Sequence, residues 1–329
     1  MSLKFLISKI KKNNFLLIGR AGIDIYPDPP GTKTEQATNF VSYLGGSSAN
    51  MGVELVKFGG SCSLLTRVSD DALGKLVLNQ LDLYGINKNL IKFEKKEARI
   101  SFAIVESTIK DHQSIIYRHN AADLFLNHQD IESAQIQNFD CILITGTSLA
   151  AEPSRSAVLH SLEIAKKNNI PVFMDIDYRP YTWESDEKAS EIYNIAIKNC
   201  SGVIGNDEEF GVLAGKYKEG FNFAKKLSSI CDLIIYKKGE KGSITFVENK
   251  EIYKGIFPVI PLKPTGAGDA FMGALIGALL KDYDIEKSIE IGSAAAAIVV
   301  TKVGCSPAMP DLEEILEFMK DKKMSEGEK

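Results

Sequence analysis

The chain is predicted to be an α/β protein, with a mainly parallel central sheet covered by helices on both faces and a small second sheet beside it. Three observations predict this. From residue 141 onward, short apolar runs alternate with helix-patterned segments, the arrangement of successive βαβ units. In the N-terminal half, residues 98–106 and 114–118 alternate, are rich in β-branched residues and bound a polar turn at 108–112, which reads as a hairpin. Twice, a glycine-led turn opens a helix: at Gly45-Gly46-Ser47-Ser48-Ala49-Asn50 and at Thr265-Gly266-Ala267-Gly268-Asp269.

A length of 329 residues suits one large or two modest domains, and 44% hydrophobic with 25% charged residues is ordinary for a globular chain with a good-sized core. The net charge of −4 provides no global basic field, so neither nucleic acid nor an anionic membrane is an expected partner. Cys62, Cys141, Cys200, Cys231 and Cys305 are scattered without a C-x-x-C pair, which predicts buried reduced thiols in a cytoplasmic protein rather than disulfides or zinc. Residues 1–14 carry four lysines and no long apolar run, so no signal peptide is read there, and no charge-free apolar run reaches membrane-spanning length.

In chain order, Phe15-Leu16-Leu17-Ile18-Gly19-Arg20 predicts a first buried strand. Asp24 follows just past its end, where ligands of parallel α/β sheets sit; it suits binding of substrate hydroxyls, or the capping of a turn. Residues 27–38 are polar and Pro-rich, a loop, and 39–44 a short strand. Gly45-Gly46 then starts a helix over 51–58, with Ser47 or Ser48 as its N-cap. A tight turn alone explains the glycines, but Asn50 in the first turns is harder to explain, because Asn is a poor interior residue. Residues 63–68 predict a strand and 71–84 an amphipathic helix. The hairpin at 98–118, joined with strands near 23–26 and 39–44, would form the small sheet, a lid over the larger one. Arg118 ends that hairpin; its fork suits a carboxylate or phosphate, or a surface ion pair.

Beyond the hairpin, strands are predicted at 141–145, 172–175, 202–204 and 232–236, with helices at 154–168, 187–199 and from Asn206. Lys237-Lys238-Gly239-Glu240-Lys241-Gly242 leads into a second hairpin ending at Tyr253. Residues 256–260 suit a strand feeding the Thr265–Asp269 turn, and 270–280 a buried helix of small and apolar residues. The first N–H groups of that helix lack internal partners and carry partial positive charge, and glycines let an anion approach them. A nest of N–H groups beside one carboxylate, Asp269, suits phosphoryl transfer: the nest holds charge on the transferred group and the carboxylate takes the acceptor's proton. A Gly-rich turn capped by an Asp would look the same, and the absence of a P-loop lysine excludes Walker A. Helices over 284–302, with Ser293 and four alanines, and 311–320 close the fold, leaving residues 321–329 as a charged, frayed tail.

Taken together, these elements resemble the ribokinase-like (PfkB) carbohydrate kinases over roughly residues 16–319, with both glycine signatures in that family's order. The resemblance implies a single ribokinase-like three-layer domain, with lid strands from about 23–44 and 96–120, and a sugar between lid and sheet. It implies ATP and Mg²⁺ as nucleotide and metal, and a homodimer through the lid. Carried over residue by residue, Asp269 would be the catalytic base and Gly266, Ala267 and Gly268 the anion hole. Asp24, Gly45, Gly46 and Asn50 would hold the sugar. Asn206 and Glu209 resemble an N-x-x-E element that positions Mg²⁺ and phosphates, Glu209 acting indirectly. Lys238, Gly239 and Gly242 resemble the nucleotide loop, Thr265 belongs to the same nucleotide side, and Ser293 with the alanines after it would border the adenine.

Within the family, residues 19–27, 175–183 and 292–310, and Lys263-Pro264, resemble members that phosphorylate the C6 hydroxyl of an acid sugar. The acid calls for a cation, and Arg118, favoured over Arg20 and Arg179, sits where the lid re-enters the main sheet. A 2-keto-3-deoxygluconate kinase, a fructokinase and a non-catalytic sugar-binding regulator are the alternatives. One departure stands out. Many members place an acidic residue that helps bind a monovalent cation six positions before the base, and here that position is Lys263. An ammonium there would replace the cation; a solvated surface lysine is the plain alternative.

Overall fold

The computed structural model describes residues 2–95 and 97–328. Residue 96, where the second lid segment was expected to begin, and residues 1 and 329 lie outside the described residues. Helix α1 (Leu3–Ile10), which the sequence reading did not anticipate, is capped by Ser2 and lays Leu6 and Ile10 into the core. The N-terminal half continues with β1 (Phe15–Ile18), β2 (Gly22–Asp28), β3 (Asn39–Gly45), α2 (Ser47–Lys57), β4 (Cys62–Leu65), β5 (Arg67–Ser69), α3 (Ala72–Leu83), β6 (Lys92–Glu94), β7 (Ser101–Val105), β8 (Ser114–Tyr117) and α4 (His128–Ser133). The alternating half supplies β9 (Cys141–Thr145), α5 (Ser154–Lys167), β10 (Val172–Asp175), α6 (Asp186–Ile197), β11 (Gly202–Asn206), α7 (Asp207–Leu213), α8 (Gly220–Leu227), β12 (Leu233–Lys237), β13 (Ser243–Val247), β14 (Lys250–Lys254), α9 (Ala267–Leu280), α10 (Ile285–Val300) and α11 (Leu312–Asp321).

Among the described residues, the main sheet has the order β14-β13-β12-β11-β10-β9-β1-β4. It is parallel from β4 to β12, and β13 and β14 are added antiparallel at the far edge. Both faces are buried, as a parallel sheet requires. Along β1, Phe15 and Leu17 join the core under α2, α9 and α10, whereas Leu16 and Ile18 join the core under α5 and α6. The lid is a separate sheet of order β3-β2-β7-β8, whose inner face carries Asp24, Ala103 and Val105. The predicted hairpin pairs Phe102 with Tyr117 and Val105 with Ser114.

Three local expectations are corrected. Residues 256–260 form no strand. Pro258, Pro261 and Pro264 remove donors from this stretch, and it runs irregularly to the start of α9. The tail is not frayed: the Ser325 N–H donates to the Ile256 carbonyl (2.8 Å), Ile256 N–H donates to Ser325 Oγ (3.0 Å), and Lys238 Nζ donates to the Glu328 carbonyl (2.7 Å). The tail thus takes up backbone groups that a strand neighbour would have used. The expected strand over 63–68 is broken after Leu65, and its second part, β5, pairs instead with β6.

Helices α2 and α9 lie unusually close. A Cβ at Gly273 would fall 2.6 Å from Glu54 Cβ, and one at Gly277 would fall 2.4 Å from the Phe58 ring. Two glycines one turn apart on α9 therefore bring the backbones together, and this approach places the first turn of α2 against the first turn of α9.

Candidate active site

A cleft of about 930 Å³ opens between lid and main sheet at the carboxyl ends of the strands. On the lid side it is lined by Asp24, Ala103, Val105 and Ile116, at its floor by Asn50, Asp175, Asp177 and Asp269, and on the far side by Gly239, Gly242, Ser293, Ala296 and Ala297.

The floor is built on α9. Gly266 is its N-cap in the left-handed region (φ 88°), and a side chain there would meet Cys305 Sγ at 2.9 Å. The N–H groups of Ala267, Gly268 and Asp269 head the helix, where no carbonyl of the preceding turn can receive them. Asp269 is held by Asn50, whose Nδ2 donates to Oδ2 at 2.8 Å, while Asn50 Oδ1 accepts from Ser306 Oγ at 2.7 Å. That network explains an asparagine inside α2. Burial, then the neighbouring Asp177 charge, push the Asp269 carboxyl up to about 7, against the Asn50 hydrogen bond and the charges of Arg179 and Arg20.

Gly45 and Gly46 have separate reasons. A Cβ at Gly45 would fall 2.2 Å from Asp24 Oδ1, so the missing side chain is the space the Asp24 carboxylate occupies. Gly46, at φ 97°, is itself the N-cap of α2. Neither predicted serine caps the helix: Ser47 Oγ donates instead to Asp177 Oδ2 (2.5 Å), and Ser48 Oγ donates to the Ile18 carbonyl (3.3 Å). Among the described residues Asp24 accepts no protein hydrogen bond, which leaves its oxygens for ligand hydroxyls. Its carboxyl is raised by burial and lowered by Arg20 and Lys263.

Asn206 and Glu209 form a reciprocal cap at the start of α7: Asn206 Oδ1 accepts from the Glu209 N–H (2.8 Å), and Glu209 Oε2 from the Asn206 N–H (2.7 Å). Glu209 Oε1 also accepts from the Tyr178 N–H at 3.1 Å, tying α7 to the loop that carries Asp177 and Arg179. Burial raises the carboxyls of Asp175 and Glu209, and the Lys237 charge opposes the rise in both. Among the described residues no three His, Cys, Asp or Glu side chains stand close enough to cage a metal. Carboxylates lining an open cleft instead fit an ion such as Mg²⁺, which keeps waters and shares phosphate oxygens.

Of the three arginines, Arg20 and Arg179 line the cleft. Arg179 pairs with Asp177 (2.6 Å), and Arg20 Nη1 donates to Ser101 Oγ (3.1 Å) with its Nε unpartnered. Arg118, favoured from sequence, is buried against Asp123 and the Thr147 carbonyl and is not among the lining side chains. Lys238 turns to the tail, and its neighbour Lys237 lines the cleft in its place. Thr265, Gly239, Gly242 and Ser293 all line it, and so does Ser325 of the tail, which sequence reasoning missed because nothing local marks a tail as docked. Lys263 is no surface lysine: it is fully buried, and its Nζ donates to the carbonyls of Thr265 (2.8 Å) and Val299 (3.1 Å).

Comparison with known proteins gives the family and the fold. Residues 12–312 match the pfkB family carbohydrate kinases. The chain is 34% identical over 315 residues to a 5-dehydro-2-deoxygluconokinase of Geobacillus thermodenitrificans, covering 94% of each chain. It is 36% identical over 327 residues to one of Clostridium botulinum, covering 97% of this chain and 96% of the relative. A putative ribokinase II of E. coli, solved in complex with ATP and Mg²⁺, shares the fold with a TM-score of 0.82 at 21% identity, over 94% of this chain and 99% of that one. Family match, identity and fold together show that the chain belongs to the pfkB family of carbohydrate kinases.

Proposed function

We propose that the protein transfers the γ-phosphoryl group of ATP to the C6 hydroxyl of 5-dehydro-2-deoxy-D-gluconate, a step of myo-inositol breakdown in the cytoplasm. The carrying observation is the Asp269 carboxylate, held by Asn50 at the mouth of α9 on the floor of the cleft. The sugar lies on the lid side, where Asp24 receives its hydroxyls and Asn50 borders it. Its carboxylate meets Arg20, which lines the cleft where Arg118 does not. The nucleotide lies on the far side, against Gly239, Gly242, Thr265 and Ser293. Asp269 takes the hydroxyl proton as the oxygen attacks in line. The Gly266, Ala267 and Gly268 segment offers backbone N–H groups to the charge that builds on the transferred phosphoryl. Asp175 and Glu209 are the carboxylates that would hold Mg²⁺, which would neutralise phosphate charge there.

Lys263 acts as a built-in cation at the foot of this turn, supported by its two carbonyl contacts. A homodimer through the lid is supported by Phe40, Ile115 and Tyr117, which are exposed on lid strands. The five cysteines are free and buried, which accords with a reducing compartment, and no described helix is long and apolar enough to cross a membrane.

A coupled ADP-release assay across 5-dehydro-2-deoxygluconate, 2-keto-3-deoxygluconate and fructose tests the assignment. The first should give the highest kcat/KM. A preference for either of the others would reassign the substrate, and absence of sugar-dependent ADP release would leave a binding protein on this fold.

A further inference from the structure

The cleft holds several acids and three bases, and the bases are not equally engaged. Arg179 is ion-paired with Asp177 and Arg20 reaches Ser101. Lys237 ends β12 at the carboxyl edge of the sheet and lines the cleft, yet among the described residues its side chain makes no ion pair within 4 Å and no hydrogen bond, only a contact with the Phe271 ring 6.0 Å from its Nζ. Its position is defined by Gly268: a Cβ there would lie 3.4 Å from Lys237 Nζ and 3.5 Å from Asp175 Oδ2.

An aromatic ring and carboxyls at longer range are the only groups that hold this cation among the described residues. The head of a 14-residue helix already carries partial positive charge, which opposes an ammonium placed beside Gly268. The arrangement becomes favourable when an anion lies between ammonium and amides and is attracted by both. Gly268, with no side chain, leaves that space open. Lysine suits the role as a compact point charge on a flexible stem, able to follow a phosphoryl group as it moves from donor to acceptor.

Resting on the kinase assignment above, we infer that Lys237 is a catalytic residue that binds the terminal phosphate of the nucleotide from the side opposite the α9 amides. The Lys237-x-Gly239-x-x-Gly242 spacing fits this: the glycines shape the loop while the lysine, two residues before the first of them, ends the strand pointing inward. The same ammonium also offsets the Asp175 and Glu209 carboxyls at longer range, a role any cation at that depth would fill.

Two measurements test the inference. In the first, Lys237→Met and Lys237→Arg are compared for binding of adenosine, ADP and ATP and for turnover. The Met variant should bind adenosine as wild type does, bind ATP more weakly and lose about 10²–10³-fold in kcat; Arg should restore part of both. Equal loss of adenosine and ATP affinity, or near-wild-type turnover in the Met variant, would overturn the role. In the second, which needs no variant, lysines of the wild-type protein are acetylated and mapped by mass spectrometry with and without tripolyphosphate. Protection of Lys237 by tripolyphosphate but not by adenosine supports the site, and unchanged labelling removes it. If Lys237 is protected yet no sugar stimulates ADP release, the phosphate site stands and the kinase assignment fails.

Discussion

Asn50 and Asp269, 219 residues apart in the chain, are joined by a 2.8 Å hydrogen bond across the crossing of two helices. The bond exists because Gly273 lets α2 lie against α9 one turn below it. It orients one carboxylate oxygen, and in the proposed reaction the other receives the acceptor hydroxyl. Replacing Asp269 by Asn should keep this packing and remove only the base. Turnover is expected to fall by about 10²–10⁴-fold with nucleotide affinity retained; steady-state kinetics beside ADP titration would check it, and near-wild-type turnover would discard the role.

Because burial and Asp177 raise the Asp269 carboxyl to about 7, its basic form is lost as pH drops through that value. The pH profile of kcat/KM should therefore fall on its acid side, approaching tenfold per pH unit below about 7. The Asn50 hydrogen bond favours the ionised form, so Asn50→Ala should move this limb to higher pH. A limb that stays put in the variant would separate Asn50 from the titrating group.

Glu54, one turn beyond Asn50, is fully buried with neither carboxylate oxygen hydrogen-bonded. Burial drives its pKa well up; Lys57 on the same helix opposes this, and Glu314 and Asp311 from the α11 segment add to it. A carboxyl raised in the folded state keeps its proton where the unfolded chain has released it. Stability is then lost as pH rises above the unfolded value, by at most about 1.4 kcal/mol per pH unit. Glu54→Gln removes that penalty. The variant should melt at the wild-type temperature in acid and at a higher one in alkali, the gap widening with pH. A constant gap in thermal melts would count against a neutral Glu54.

If the Lys263 ammonium does the work of a bound monovalent ion, wild-type turnover should be the same in K⁺ and in tetramethylammonium buffer. Lys263→Ala, which empties the space before the Thr265 and Val299 carbonyls, should lose activity and regain part of it with K⁺. Strong activation of the unmodified protein by K⁺ would end this idea.

The arginines separate by kinetics. Arg20→Gln is expected to raise KM for the sugar acid by about 10-fold or more, as loss of a charge-assisted pair implies, with little effect on a sugar lacking the carboxylate. Arg118→Gln should mainly lower the melting temperature, since its partners are Asp123 and the Thr147 carbonyl. The opposite pattern would restore Arg118 as the carboxylate partner.

Local chemistry is legible in a chain without its fold. The αβ alternation, the glycine-led starts of α2 and α9 and the Asn206/Glu209 cap depend on neighbours within four or five residues, so they can be read in order along the sequence. What depends on distance cannot. That Lys237 rather than Lys238 enters the cleft depends on the docked tail, whose Glu328 carbonyl takes the Lys238 ammonium just past the end of β12. Whether residues 322–328 fray is decided by the Ile256 backbone, about 70 residues away. Arg118 carries the same charge as Arg20, and only packing shows that Asp123 already occupies it. Composition and spacing thus determine which groups are present and which helix they head, whereas the close approach of α2 to α9 and the closure of the lid decide which of them face the same space.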